Sequence, residues 1–320
     1  MCSVSYPKNF NLNEMNKFRY LISGGSGWLG TELVYALLRT GQVSGLNEIK
    51  LLSSTPKKMT FGEFGSIETK AYFDQEFEND IEIETFVHLA FLTRDKLNSY
   101  SRELFLNIND SITQRAAFLI EKYRPKFVAN VSSGAVFSRE NLRLETTPSK
   151  NPYGYGKLFE EQVLTEVCNS QSINLAIGRL WGATGQYMPT NPAYAVSNFI
   201  LEALKSRSIT IQSGHTVWRR YCNAGEFMLT LIKASQQSQY TLFDSGGPKV
   251  EIGELAHLIK REISEDINIA RNQALSNVAD EYFPTTSSYE KLNTSLGVGM
   301  TNLVGQIRKT IEGHVTQLGM

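Results

Sequence analysis

In the first half of the chain, short unbroken apolar runs alternate with longer stretches of helical period. Residues 18–22, 49–52, 86–90, 127–131 and 175–177 read as strands. Residues 28–40, 104–123 and 153–168 read as helices. In the first helix Leu29, Leu33, Ala36 and Leu37 share one face, and Gly41 supplies a C-terminal stop. Runs with no polar alternation suit strands covered on both faces, as in a parallel sheet. Strand–helix alternation of this kind predicts right-handed crossovers and an α/β, doubly wound parallel sheet. After Arg179 the rhythm breaks. Residues 181–192 are rich in Gly, Pro, Thr and Asn and read as loop. Helical patterns return at 197–204, 224–234 and 252–263, with short strands at 209–212 and 240–243. The division predicted is a nucleotide-type domain over 1–180 and a smaller C-terminal substrate lobe over 181–320. Segments near 220–245 are expected to return to the first domain.

Composition narrows the function classes. The 320 residues carry 32 Lys+Arg and 32 Asp+Glu, so no bulk charge favours nucleic acid or an anionic membrane. No apolar run is long enough to span a bilayer, and residues 1–17 lack the apolar core of a secretory leader. A cytoplasmic protein is the expectation. Cys2, Cys168 and Cys222 are scattered, as are His88, His215, His257 and His314, so neither a disulfide framework nor a metal site is expected.

The first chemical signal is Gly24, Gly27 and Gly30, a G-x-x-G-x-x-G run between a strand and a helix. Glycines there let backbone N–H groups approach a pyrophosphate at the positive end of a helix. With Trp28 and Leu29 they form a candidate dinucleotide site. An acidic residue after the second strand would bind a ribose 2′-hydroxyl and favour NAD. This chain has Ser53, Ser54 and Lys57 there instead, hydroxyls and a cation suited to the 2′-phosphate of NADP. NADP is therefore preferred over NAD, a solvated basic loop being the plain alternative.

The second signal is Tyr153 and Lys157, four residues apart and so on one helix face. A free phenol has a pKa of about 10, and a neighbouring ammonium together with the positive charge of an oxidised nicotinamide should favour its ionised form. Such a phenol can exchange a proton with a carbinol or carbonyl oxygen while hydride moves at carbon. Tyr155, two residues from Lys157, falls on another face and reads as packing. A third piece is the strand over 127–131, which runs into Ser132 and Ser133 at the carboxyl edge where open α/β sheets bind ligands. Ser132 reads as a turn cap and Ser133 as the hydroxyl that orients the reacting oxygen.

With these motifs in order, together with 87–90 and 178–182, the chain resembles the extended short-chain dehydrogenases/reductases, from about residue 18 to 296. The resemblance implies a Rossmann-type sheet and a nicotinamide cofactor. It implies Ser133, Tyr153 and Lys157 as the catalytic set, with Tyr153 and Lys157 also against the cofactor. Leu89 and Ala90 are implied as a wall along the cofactor, Asp74 as an adenine contact and Asn107 as a structural asparagine. Arg219, or Arg220 beside it, is implied to bind the substrate pyrophosphate, for which a guanidinium is suited. A homodimer through the helices at 104–123 and 153–168 is implied as well. Gly182 departs from the asparagine usual in relatives. Gly134 and Ala135 replace the acidic pair of the 4,6-dehydratases, which disfavours dehydration. Gly154 and Gly156 weaken the start of the catalytic helix by about 1 kcal/mol each, for no reason visible in the sequence.

The leading expectation is NADP(H)-dependent reduction of a 4-keto nucleotide sugar. The alternatives are a 4-epimerase with retained cofactor and a non-catalytic NADP-binding sensor. The base and sugar are expected to be selected by the 181–192 loop and the region beyond 273.

Overall fold

The computed structural model describes residues 16–74, 81–145, 147–271, 279–284 and 288–320. Cys2 and parts of the region beyond 273 lie outside them. Seven parallel strands form the central sheet: β1 (Asn16–Ser23), β2 (Ile49–Ser53), β3 (Lys70–Ala71), β4 (Ile81–His88), β5 (Phe127–Ser133), β6 (Asn174–Leu180) and β7 (Tyr240–Asp244). Their order is β7-β6-β5-β4-β1-β2-β3, which reverses direction between β1 and β4. Such a switch point leaves a crevice at the carboxyl ends of the two strands, where ligands bind in open α/β sheets. In register, Ser23 of β1 faces His88 of β4 across it. The sheet is the Rossmann-like architecture expected from the apolar pattern.

Two layers of helix cover the sheet. α1 (Trp28–Arg39) and α5 (Ala224–Ser235) bury Leu33, Leu37, Phe227, Met228 and Leu231 against one face. α2 (Arg102–Tyr123) and α3 (Pro152–Ser170) bury Ala116, Leu119, Ile120, Leu164 and Val167 against the other. A third core gathers α4 (Ala195–Ser206), α6 (Ile252–Ile263) and α8 (Leu303–Leu318) around Phe199, Ile209, Leu255, Ile259 and Ile307. α5 packs beneath the first sheet although it follows the loop, and β7 pairs in parallel with β6. A short helix, α7 (Tyr289–Ser295), adds Tyr289 to the first core.

Several elements were not read from the sequence. A hairpin, Lys58–Thr60 with Ser66–Glu68, follows β2 directly. The 181–192 segment contains a two-residue strand, Ala183–Thr184, paired with Cys222–Asn223. α8 was missed as well. Among the described residues, no helix is long and apolar enough to cross a membrane.

Candidate active site

The glycine turn is built by close approach. Gly24 has φ +67°, and a Cβ on it would lie 2.8 Å from Ala90 N. A Cβ on Gly30 would lie 2.5 Å from the carbonyl oxygen of Gly25, so the helix seats directly on the turn. Gly27, the exposed N-cap of α1, gives no side-chain cap to the first turn. The N–H groups there therefore face the crevice uncapped, in the form that holds a phosphate. Trp28 and Leu29 follow in the first turn and are half-buried. These features fit a dinucleotide pyrophosphate.

The expected adenosine-side residues divide. Ser53 is buried, and its hydroxyl bonds the Thr55 carbonyl (2.7 Å) and Thr69 (2.6 Å), so it holds the hairpin in place. Ser54 and Lys57 are exposed beside it. Asp74 is exposed after β3, its carbonyl accepting from Arg115 Nη2 at 2.7 Å. The Leu89 and Ala90 N–H groups donate to Ser23 Oγ at 3.1 and 3.3 Å, which folds the end of β4 against the glycine turn. Asn107 requires correction. It is exposed on the outer side of α2. Asn109 is the buried structural asparagine: Oδ1 accepts from Leu92 N (2.7 Å), and Nδ2 donates to the carbonyls of Leu92 and Phe105. Positions two apart on a helix lie about 200° around the axis, so only one of the pair can face the loop after β4.

At the reacting end, Asn151 caps α3. Its Oδ1 accepts from Gly154 N at 3.0 Å, its Nδ2 donates to the Ala135 carbonyl at 2.8 Å, and Pro152 starts the first turn. The helix thereby docks on the turn after β5. That contact explains Gly154, where a Cβ would lie 1.9 Å from Ala135 O. Gly156 leaves room for Phe91, whose Cζ would be 3.2 Å from a Cβ there. Gly182 is accounted for in the same way, by Arg220 O at 2.3 Å.

Tyr153 is half-buried, with Ser133 beside its hydroxyl. Ser133 Oγ accepts from Ala135 N at 3.1 Å. The Tyr153 ring meets Phe91 edge-on, with centroids 5.7 Å apart, and Lys157 Nζ sits 3.9 Å above the same Phe91 ring. Lys157 is buried and donates to the Val131 carbonyl and to Glu160 Oε2, both at 2.9 Å. With no cofactor charge beside it, the phenol is raised: burial pushes it up, Ser133 opposes this, and the negative charge of Glu160 adds to the rise. Ser132 is structural. It donates to Glu161 Oε1, and Glu161 holds Arg179 through two bonds of 2.8 and 2.6 Å.

Across the crevice, Trp181 stacks on Phe137 (5.6 Å, 18°) and meets Tyr282 at 4.9 Å. A Cβ on Gly134 would lie 2.2 Å from the indole. Arg219 is engaged with Asp280, Nη2 donating to Oδ2 at 2.7 Å. Arg220 donates to the Gly247 carbonyl at 2.9 Å, lies 4.0 Å from the Glu290 carboxylate, and has no partner for its buried Nε among the described residues. Phe91, Asn109, Glu160 and Trp181 were missed by sequence reasoning, since each gains its role from a neighbour distant in the chain. Among the described residues, no group of three His, Cys, Asp or Glu side chains could hold a metal ion.

Comparison with known proteins places this crevice in context. The chain is 23% identical over 271 residues to UDP-glucuronic acid decarboxylase 6 of Arabidopsis thaliana, covering 79% of this chain and 77% of that one. It is 28% identical over 169 residues to UDP-glucose 4-epimerase of Dictyostelium discoideum, 48% of each. Its fold is similar to UDP-glucose 4-epimerase of Thermotoga maritima, solved with UDP-glucose (TM-score 0.73, 18% identity, 94% of this chain and 100% of that one). It is also similar to MoeE5, solved with UDP-glucose and NAD (TM-score 0.68, 19% identity, 94% and 99%). The model of the NAD dependent epimerase/dehydratase family matches residues 20–243, from β1 to β7. On that match the chain is a member of the NAD-dependent epimerase/dehydratase family, an enzyme of the extended short-chain dehydrogenase/reductase type.

Proposed function

We propose that this enzyme reduces a 4-keto nucleotide sugar with NADPH. The observation that carries the reading is the Tyr153 phenol set beside Ser133, at the carboxyl edge of β5 and against Phe91, with burial raising the phenol above its ordinary value. A protonated phenol is ready to act as a proton donor, the role a reduction requires. A reduced nicotinamide, when bound, supplies the hydride. Tyr153 gives its proton to the carbonyl oxygen that becomes the hydroxyl. The Ser133 hydroxyl, its oxygen already taken by Ala135 N–H, donates to the same oxygen and orients it. Lys157 contacts the nicotinamide ribose, and Leu89 and Ala90 line the cofactor. Ser54 and Lys57 support NADP over NAD, since both are exposed while Ser53 is buried and bonded internally. Asp74 contacts adenine from its exposed position. Arg220, whose Nε has no partner among the described residues, and Arg219, which must share its charge with Asp280, bind the substrate pyrophosphate.

Elimination of water is disfavoured. Gly134 and Ala135 offer no acid or base, and the Trp181 indole fills the space of a side chain at 134. A 4-epimerase with retained cofactor is the second reading, favoured by the likeness to UDP-glucose 4-epimerases. We also propose a homodimer through α2 and α3, supported by the exposed Leu104 and Phe118 on α2. The function is tested by mixing the protein with NADPH and a panel of 4-keto-6-deoxy nucleotide sugars. Loss of reduced-cofactor absorbance is expected. No loss across the panel, with stoichiometric nicotinamide released on denaturation, favours the epimerase.

A further inference from the structure

Glu160 is completely buried, on α3 one turn beyond Lys157. A carboxylate taken out of water is costly unless its partners restore what water gave. Two side chains do so by hydrogen bonds, both to Oε2, while a third lies close to Oε1, which has no hydrogen-bond partner among the described residues. Lys157 Nζ donates to Oε2 at 2.9 Å, Asn130 Nδ2 donates to the same oxygen at 3.2 Å, and His88 Nε2 lies 3.2 Å from Oε1. Burial favours the neutral acid, but the lysine and histidine hold this carboxyl below its ordinary range. His88 in turn bonds Ser23 Oγ through Nδ1 at 2.7 Å. Ser23 Oγ accepts the N–H groups of Leu89 and Ala90, which leaves its proton for His88 Nδ1, while Nε2 lies beside the carboxylate without a hydrogen-bond partner among the described residues. Ser23 immediately precedes Gly24. Continuous polar contact therefore runs from the base of the glycine turn to the Lys157 ammonium.

We propose that Glu160 is a positioning residue that fixes Lys157 Nζ and cancels most of the charge this ammonium would otherwise project onto Tyr153. The inference rests on the reading of Tyr153 as the proton donor. An ammonium beside a carboxylate acts at a third site as a dipole, whose field falls away faster than that of a lone cation. The phenol thus stays protonated beside a buried lysine, while the lysine remains in place for the cofactor ribose. The other groups facing these residues are accounted for. Ser133, Tyr194 and Arg94 act on Tyr153, and Tyr72, in the same core as α2 and α3, feels the charge of Glu160.

The test is the ionisation of Tyr153, read as tyrosinate absorbance of NADP-loaded protein minus that of Tyr153→Phe. Glu160→Gln keeps the shape and removes the charge. With every variant saturated with NADP, the Glu160→Gln midpoint is expected about one pH unit below wild type, the size of effect a neighbouring charge exerts. Lys157→Met alone should raise the midpoint. Lys157→Met/Glu160→Met, which leaves no unpaired charge of the pair buried, should return close to wild type and decides the matter should Glu160→Gln not fold. A Glu160→Gln midpoint unchanged from wild type, or a double variant that titrates like Lys157→Met, overturns the proposal. No sugar enters this measurement. A shifted midpoint with full turnover in Tyr153→Phe would therefore sink the proton-donor reading and leave the charge pairing standing.

Discussion

The carbonyl oxygen of Ala135 occupies the space where a side chain on Gly154 would begin, 1.9 Å from an ideal Cβ. The first turn of α3 and the turn after β5 are thus in close contact, and this contact brings Tyr153 to Ser133. Gly154→Ala must push the two apart. It is expected to lower stability by about 1–3 kcal/mol, the usual cost of overpacking, and to reduce turnover more than cofactor affinity. Thermal melting, kcat and NADPH titration check this; unchanged kcat would mean the contact does not set the geometry.

Tyr153→Phe removes one hydroxyl from a half-buried ring packed on Phe91. Reduction should fall by about 10²–10⁴-fold, the range for loss of a positioned proton donor. NADPH affinity should stay within about twofold, because 1.4 kcal/mol is already tenfold and the ring packing survives. Steady-state kinetics with fluorescence titration of the cofactor separate the two.

Lys57 and Ser54 lie exposed where an acidic residue would select NAD. Lys57→Ala should weaken NADP(H) by about tenfold, the worth of one charge-assisted contact, while NAD(H) binding is left unaltered. Isothermal titration with both cofactors is the check. An equal effect on the two would remove the 2′-phosphate assignment.

Glu32 gives a pH-dependent stability. It lies buried in α1, accepting from Tyr187 N at 2.8 Å and from the Trp28 indole at 3.4 Å. Burial raises its carboxyl above the ordinary value, against the lowering effect of those hydrogen bonds. A carboxyl whose folded pKa is raised binds its proton more tightly in the folded state. Stability therefore falls as pH rises from the unfolded to the folded pKa, and the penalty persists at neutral pH. Glu32→Gln keeps an oxygen for Tyr187 N and has no charge to bury. Its melting temperature should exceed wild type at pH 7, and the gap should close as pH falls below the unfolded carboxylate value. A gap independent of pH would refute this.

What the sequence made legible was what lies close together along it. The glycine turn and the Tyr153–Lys157 pair are local patterns, and the unbroken apolar strands gave the parallel sheet. Glu160 is equally near Lys157 in sequence, yet reads as a solvated helix charge until β4 and β5 bring His88 and Asn130 against it. Asn107 and Asn109 are indistinguishable without knowing which side of α2 faces the loop after β4. The 58–68 hairpin carries no sustained alternation, and Gly154, Gly156 and Gly182 find their reasons only in backbone or rings from elsewhere in the chain.

The Trp181 indole against Gly134 also bears on how this scaffold can change. Any side chain introduced at 134 would collide with a ring already held by Phe137, Tyr282 and the Asp244 carboxylate, which accepts its N–H at 2.7 Å. A new acid at that position cannot arise in one step; the indole must shrink first, giving up its stacking before any new chemistry is gained. A change at 134 would therefore cross a valley of weakened intermediates, and the bulk of a single ring insulates this turn from drift.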